Sequence, residues 1–235
     1  MSIKAVLFDL DGTLLPMDQD VFVRAYIGGL VKVSASRGYD GAKMADAIMK
    51  GTAAMVKNTG EKTNEEVFWD FIAETVGESV RQDHHMYDEF YRTDFQNVAD
   101  VCGFLPLAKD IVECVKEKGL FAVLATNPLF PSVATESRIR WAGLSPDDFE
   151  YFTTYENSRH CKPNLNYYKD ILAKLGLSGE ECVMVGNDVS EDMIARELGM
   201  QVFLLTPCLI NRKNEDISVF NHGNAEELLQ YIRKL

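Results

Sequence analysis

Acidic side chains follow two short apolar runs of this 235-residue sequence, and their type and spacing could support metal chemistry. Asp9 and Asp11 come directly after the first run, IKAVLF, while Asp188 and Asp192 follow the later run ECVMV. Carboxylates gathered in one place repel one another unless they share a cation. Hard oxygen ligands suit Mg²⁺, which typically takes one or two carboxylates and completes its shell with water or a substrate phosphate. These acids therefore indicate a magnesium-dependent site.

Two further apolar runs are followed by polar residues that would reach the same place. Thr126 and Asn127 follow the run LFAVLA, and Lys162 lies in a longer loop after the run near residue 150. In an open α/β sheet, ligands bind beyond the carboxyl ends of the strands, where these residues would meet. Any one of them alone is more typical of a helix cap or a turn. Their convergence with the acids favours a functional site.

The runs that carry these residues are predicted to be strands of a parallel sheet. Short apolar runs alternate with helical patterns about every 25 to 30 residues, which is typical of βαβ units covered by helices on both faces. We therefore predict an α/β fold with a Rossmann-like, doubly wound parallel sheet. The expected strands are Ile3–Phe8, Leu120–Ala125, Phe149–Thr153, Glu181–Val185 and Met200–Leu204. The expected helices are Leu107–Lys118, Pro131–Trp141, Asn164–Leu175, Ser190–Leu198 and Ala225–Lys234.

The stretch between the first two strands has a different pattern. Residues 17–101 show helical periodicity, with a capping box at Thr63–Glu66 and no convincing strand. We therefore expect an all-α domain at 17–101, inserted into an α/β core formed by 1–16 and 102–235. Because only two short crossings join the parts, the insertion is expected to move as a lid over the carboxyl edge of the sheet.

Composition limits the classes of partner that this chain can bind. There are 24 basic and 36 acidic residues, so the net charge of −12 disfavours nucleic acid and anionic membranes. No apolar run approaches the roughly 20 residues that cross a bilayer, and no signal peptide is expected. The five cysteines form no C-x-x-C pair and are predicted to be free thiols, which favours a cytoplasmic protein. We expect a monomer or a weak homodimer.

Four ordered motifs resemble those of the haloacid dehalogenase-like hydrolase superfamily. They are D-L-D-G-T-L at Asp9–Leu14, Thr126 after the second strand, Lys162 followed by Pro163, and G-N-D-V-S-E-D at Gly186–Asp192. The resemblance covers the whole chain and is to the phosphatase type, phosphoglycolate phosphatase-like, with a helical cap inserted after the first motif. One departure is Asn187, since many relatives have Gly-Asp where this chain has Gly-Asn-Asp. The four-residue step from Asp188 to Asp192 is kept, so the resemblance assigns the metal to Asp188.

The resemblance implies a nucleophile, an acid–base residue and a metal site. Asp9 would attack phosphorus and form an aspartyl-phosphate, while Asp11 would protonate the leaving oxygen and then activate water. Mg²⁺ would be held by Asp9, the backbone carbonyl of Asp11 and Asp188. An ordinary Asp is only about 0.1% protonated at pH 7. The pKa of Asp11 must therefore be raised by neighbouring carboxylates or burial, unless its proton arrives with the substrate.

The resemblance also implies how the phosphoryl group is held. Thr126 and the backbone N–H of Asn127 would bind its oxygens, and Lys162 would neutralise charge in the transition state. Asp192 would orient Lys162 or a metal-bound water. Mg²⁺ and Lys162 would then make the site locally positive within an acidic protein.

The resemblance leaves more than one function open. The leading hypothesis is a Mg²⁺-dependent phosphatase acting on a small phosphorylated metabolite. The alternatives are a phosphomutase, similar to beta-phosphoglucomutase, and a non-catalytic relative that binds a metabolite or a protein. Dehalogenation is disfavoured because Asp11 is present, whereas dehalogenases lack the second acid of the first motif. Specificity would depend on cap side chains, among which Arg24, Arg81 and Arg92 could reach a substrate anion but are more typical of solvated side chains.

Overall fold

A computed structural model describes residues 2–235, and its centre is a six-stranded, all-parallel sheet. The strand order is β3-β2-β1-β4-β5-β6, with β1 between β2 and β4. Each strand is short, and the two central strands, β1 and β4, are buried along their whole length, as expected for a sheet covered on both faces. The strands are β1 Ala5–Phe8, β2 Phe121–Leu124, β3 Tyr151–Phe152, β4 Cys182–Gly186, β5 Gln201–Leu205 and β6 Asn221–Gly223.

Alternate side chains of the strands enter two separate apolar layers. Four helices cover the sheet: α5 Ala108–Glu117, α6 Ser132–Trp141, α7 Leu165–Leu175 and α8 Ala225–Arg233. Phe8 and Val185 point into the layer that contains α5, α6 and α8, whereas Leu7 and Met184 point into the layer with α7. This alternation is what helices on both faces of a pleated sheet require. The α/β class and the doubly wound parallel sheet are therefore confirmed.

A helical segment separates β1 from β2. Its helices begin at side-chain caps where the sequence supplies an acid or a hydroxyl: Asp18 caps the first, Asp40 the second, and Thr63 forms a capping box with Glu66 at the third. Two 3₁₀ helices, Glu78–Asp83 and Asp94–Val101, belong to the same segment. The α-helices are α1 Gln19–Ala35, α2 Gly41–Val56, α3 Asn64–Val76 and α4 His84–Arg92.

The two chain crossings between this segment and the sheet lie side by side. Met17 pairs with Cys102 in an isolated antiparallel bridge, and the Gly103 N–H donates to the Pro16 carbonyl at 2.6 Å. One apolar cluster runs from the sheet through α6 into the helical segment. The division into domains at residues 16/17 and 101/102, and the motion of a lid about these crossings, stay predictions.

One predicted element differs from the structure, and one observed strand is absent from the prediction. Ser190–Leu198 was expected to be one helix, but a regular turn begins only at Met193 and is a 3₁₀ helix that ends at Gly199. The preceding residues instead fold around Asp188, whose carboxylate accepts from the Ser190 and Glu191 N–H groups at 2.7 and 2.9 Å. Strand β6 was not predicted, because its sequence NHG has no apolar alternation; it is formed by pairing with β5.

The five cysteines are all free, as their spacing predicted. Burial raises the pKa of the Cys161 thiol to about 12 and that of Cys182 to about 11. Such thiols behave as small apolar groups and not as nucleophiles. Within residues 2–235, no helix is long and apolar enough to cross a membrane.

Phe95 joins the helical segment to the sheet layer, and its truncation should be costly. The ring is 0% exposed and lies 5.0 Å from Trp141 of α6 and 5.4 Å from Tyr91 of α4, centroid to centroid. We expect Phe95→Ala to lower the free energy of unfolding by about 3–5 kcal/mol, because it leaves a cavity in the core. Phe104→Ala is the matched control, since that ring is 63% exposed and should cost within about 0.5 kcal/mol. Urea denaturation measures both, and equal losses would contradict the assignment.

Candidate active site

Asp9 lies at the carboxyl end of β1, the strand beside which the order of the sheet reverses. Its backbone N–H donates to the Val185 carbonyl at 2.9 Å, which continues the ladder to β4. The Thr13 hydroxyl lies 3.0 Å from Asp9 Oδ2 and 3.1 Å from Asn187 Oδ1. Gly12 makes this turn at φ +89°, where an added Cβ would stand 2.4 Å from the Asn187 amide nitrogen. The first and fourth motifs are thus packed directly against each other.

Lys162 is the buried cation of the site. Its side chain is 1% exposed, and its Nζ lies 2.9 Å from Asp9 Oδ1 and 2.6 Å from Asp192 Oδ1. Burial alone would lower the pKa of Lys162, but the carboxylates of Asp192 and Asp9 more than offset this and hold the pKa well above its usual value. The ammonium therefore stays charged and fixes one oxygen of Asp9.

The loop that carries Lys162 is held from two sides. The Lys162 backbone N–H donates to Asn127 Oδ1 at 3.3 Å. From the helical segment, the backbone N–H of Asn64, the first residue of α3, donates to the Ser158 carbonyl at 2.9 Å, and its side-chain amide lies 3.3 Å from Cys161 Sγ. Asn64 is 0% exposed, so this polar contact is shielded from water. The helical segment therefore helps to position a site residue of the core.

The fourth motif folds as a compact acidic turn. Asp192 Oδ2 accepts from the Asp188 N–H at 2.9 Å, while its other oxygen is bound to Lys162. An added Cβ at Gly186 would lie 2.1 Å from Asp192 Oδ2, so glycine is required for this approach. Glu191, which the sequence analysis did not assign to the site, accepts from the Asn127 amide at 3.0 Å. Burial raises the pKa of Glu191, with Lys162 acting in the opposite direction.

The predicted residues come together around one cavity of about 160 Å³. The cavity is bordered by six of the seven predicted site residues, namely Asp9, Asp11, Thr126, Asn127, Asp188 and Asp192. Lys162 does not border the cavity, because it lies beneath Asp9 and Asp192. The backbone N–H of Asn127 forms no hydrogen bond within residues 2–235, so it is free to bind an anion.

The oxygen donors at this cavity fit Mg²⁺. Asp188 Oδ1 accepts from backbone N–H groups, whereas Oδ2 accepts no hydrogen bond from the described residues and lies 3.9 Å from Arg212 Nη1. The backbone carbonyl of Asp11 accepts no hydrogen bond from the described part of the chain. No group of three or more Asp, Glu, His or Cys side chains within residues 2–235 forms a metal cage by itself. Two carboxylates, one carbonyl and further oxygens from water or substrate are the usual environment of Mg²⁺.

Arg138 is a site residue that the sequence analysis missed. It lies on α6, is 0% exposed, and its Nη1 pairs with Asp11 Oδ2. Its Nη2 contacts the Thr135 hydroxyl at 3.2 Å, and the guanidinium stacks 4.2 Å from the centroid of the Phe130 ring. Helical spacing could have indicated that Arg138 is buried, because it lies four residues after Ala134 and four before Ala142, which are both buried.

Asp11 has one paired and one unpaired carboxylate oxygen. Oδ1 is buried without a hydrogen-bond partner, as is the Arg138 Nε. Burial raises the pKa of Asp11 above its usual range; Arg138 lowers it in part, and the charge of Asp9 raises it further. Of the alternatives considered from sequence, burial is therefore the largest influence on this carboxyl.

The buried pair predicts a strong dependence of stability on Arg138. We expect Arg138→Met to lower the free energy of unfolding by about 3–5 kcal/mol, because it leaves the Asp11 carboxylate unpaired. The double variant with Asp11→Asn should lose less, since a neutral amide replaces the stranded charge. Arg140→Met is the control on the same helix; its side chain is 57% exposed and pairs with Glu136, so about 0–1 kcal/mol is expected. Similar losses for Arg138→Met and Arg140→Met would contradict the role of the pair.

Comparisons with known proteins find similar phosphatases. A curated phosphoglycolate phosphatase of Vibrio cholerae is 26% identical over 210 residues, covering 87% of this chain and 85% of the relative. A glyceraldehyde 3-phosphate phosphatase of Methanocaldococcus jannaschii is 25% identical over 241 residues, covering 99% and 98%. The crystal structure of a HAD phosphatase from Thermococcus onnurineus has the same fold, with a TM-score of 0.59, 19% identity and coverage of 99% and 97%.

The family model of haloacid dehalogenase-like hydrolases matches residues 3–198. This range contains all four motifs and every predicted site residue. The chain therefore belongs to the haloacid dehalogenase-like hydrolases, and it is an enzyme of that family.

Proposed function

We propose that this enzyme is a Mg²⁺-dependent phosphatase that hydrolyses a small phosphorylated metabolite through an aspartyl-phosphate on Asp9. The observation that carries the proposal is the position of Asp9: its carboxylate borders a cavity, and Thr13 and Lys162 bind its two oxygens. Both curated relatives described above are named as phosphatases. This agreement supports hydrolysis of a phosphate ester, while the identity of the ester comes from neither name.

Asp9 and Asp11 divide the chemistry between them. An Asp9 oxygen forms a bond to phosphorus as the ester P–O bond breaks, and Asp11 gives its proton to the departing alkoxide. Asp11 then takes a proton from water, whose oxygen attacks phosphorus and releases inorganic phosphate from Asp9. Asp11 is suited to this exchange because it borders the same cavity as Asp9.

The remaining residues hold charge and geometry. Thr126 and the free backbone N–H of Asn127 bind phosphoryl oxygens, and Lys162 stabilises the charge that develops on them. Asp192 acts as a positioning residue, since it binds Lys162 at 2.6 Å. Mg²⁺, held by Asp9, the Asp11 carbonyl and Asp188, would supply further positive charge at the phosphoryl group.

The same proposal covers location and partners. The five free cysteines are in keeping with a reducing, cytoplasmic environment. The net charge of −12 supports a small-molecule substrate over nucleic acid or an anionic membrane. We propose a monomer or a weak homodimer.

Asp9→Asn tests the nucleophile. We expect phosphate release to fall below about 1% of wild type with little change in folding, because the amide matches the carboxylate in shape but cannot attack phosphorus. The assay measures inorganic phosphate. It therefore distinguishes hydrolysis from a phosphomutase reaction, in which the phosphoryl group is transferred back to a sugar. Asp110→Asn, at an exposed position of α5, is the control and should keep full activity. Activity above that limit, once deamidation to Asp is excluded by mass spectrometry, would contradict the proposal.

Asp188→Ala tests the metal site. Activity should vanish with EDTA and return with Mg²⁺ in the wild type. Loss of outer-shell partners already weakens metal sites about 10- to 100-fold, so Asp188→Ala should raise the Mg²⁺ concentration for half-maximal activity by at least about tenfold. Calorimetric titration of Mg²⁺ gives an independent reading. An unchanged metal requirement would place the ligand at Asn187 or Asp192.

A further inference from the structure

From the side chains that border the same cavity as Asp9, we infer that the substrate is a phosphate monoester of an uncharged, partly apolar alcohol, and not one that carries a second anionic group. This inference rests on the proposed function and names the class of leaving group. The start of α1 contributes Gln19, Phe22 and Val23, which border the cavity at i, i+3 and i+4 spacing. Leu129 and Phe130 of the core border it too, and we call these five side chains the cavity wall.

This wall offers apolar surface and one neutral polar group. Phe22 is almost fully buried, and its ring lies 6.0 Å from that of Phe130, centroid to centroid. These apolar side chains favour contact with the carbon-bound hydrogens of a leaving group. The Gln19 amide can donate to or accept from a hydroxyl or carbonyl group. A neutral polyol or hydroxyaldehyde phosphate matches these contacts.

The charged groups near the wall disfavour a second anion. Glu191 borders the cavity with the other acids. The two buried cations are already committed: Lys162 binds Asp9 and Asp192, and Arg138 binds Asp11. A substrate carboxylate at the wall would face like charge without a buried cation to pair with, which is a strong basis for discrimination.

The arginines considered from sequence do not change this result. Arg24, Arg81 and Arg92 do not border the cavity, and Arg81 is paired with Asp70 and Glu78. Arg212 does not border the cavity either; its side chain is 71% exposed and its Nη1 lies 3.9 Å from Asp188 Oδ2. A guanidinium so exposed is a weak partner for a substrate anion.

Matched substrate pairs test the inference. Glycerol 3-phosphate is compared with 3-phosphoglycerate, and 2-hydroxyethyl phosphate with 2-phosphoglycolate, since each pair exchanges only a hydroxymethyl group for a carboxylate. We expect kcat/KM to favour the neutral member by at least about tenfold, because like charges at the wall are unpaired. Calorimetric binding of the same pairs to Asp9→Asn should show the same order. Equal or reversed preference in both measurements would overturn the inference.

Variants of the wall and rim provide the controls. Val23→Lys places a cation at the wall and should shift the preference toward the carboxylate by about fivefold, whereas Val23→Met should leave it unchanged. Arg212→Ala should also keep the neutral preference. If the wild type prefers the carboxylate esters and Arg212→Ala prefers the neutral ones, the inference is overturned. If neither these pairs nor 4-nitrophenyl phosphate release phosphate, the proposed function fails. The order in which the four esters bind to Asp9→Asn then tests by itself whether the cavity prefers a neutral ester.

Discussion

The ion pairs of Lys162 with Asp9 and Asp192 are the interaction on which the rest of the site depends. Five acids border one cavity of a protein whose net charge is −12, and their mutual repulsion opposes folding. A buried ammonium between two of them offsets that repulsion and also fixes one oxygen of Asp9. Such a pair is favourable only when every partner is held, because a charge stranded in a buried site is costly. Hydrogen bonds hold both the loop that carries Lys162 and the carboxylate of Asp192, so these partners are fixed in place.

A second ion pair gives Asp11 a cation different from that of Asp9, although the two carboxylates are only two residues apart in sequence. Lys162 contacts Asp9 from below, whereas Arg138 reaches Asp11 from α6. Each acid thus has its own cation, and the two face the cavity in different electrostatic surroundings. Acid–base division between neighbouring carboxylates generally depends on such a difference. Lys162 and Arg138 both bind acids of the site, and neither belongs to the cavity wall, which consists of apolar side chains and the Gln19 amide.

Sequence patterns predicted the parts of this site that follow strands. Asp9, Thr126 and Asp188 could be placed because apolar runs locate strand ends, and parallel strands bring those ends to one edge. Arg138 could not be placed in this way, since it lies within a helix and its partner is 127 residues away. Strand β6 depends on pairing with β5 and not on its own polar residues. The turn before Met193 is likewise decided by hydrogen bonds to Asp188, which compete with helix formation.

The helical segment contributes to the site at two separate points with different consequences. The start of α3 binds the loop that carries Lys162, so it helps to hold the ion pairs of Lys162, which the chemistry would need whatever the substrate. The first turn of α1 borders the cavity, where the leaving group of the proposed substrate would lie. Among the described residues, Gln19 and Val23 form no hydrogen bond or ion pair with Lys162 or Arg138, so we expect changes there to leave the buried ion pairs in place. The proposed phosphoryl chemistry therefore lies at the sheet edge, which the start of α3 supports, while the proposed selectivity depends on side chains of α1 together with Leu129 and Phe130 of the core.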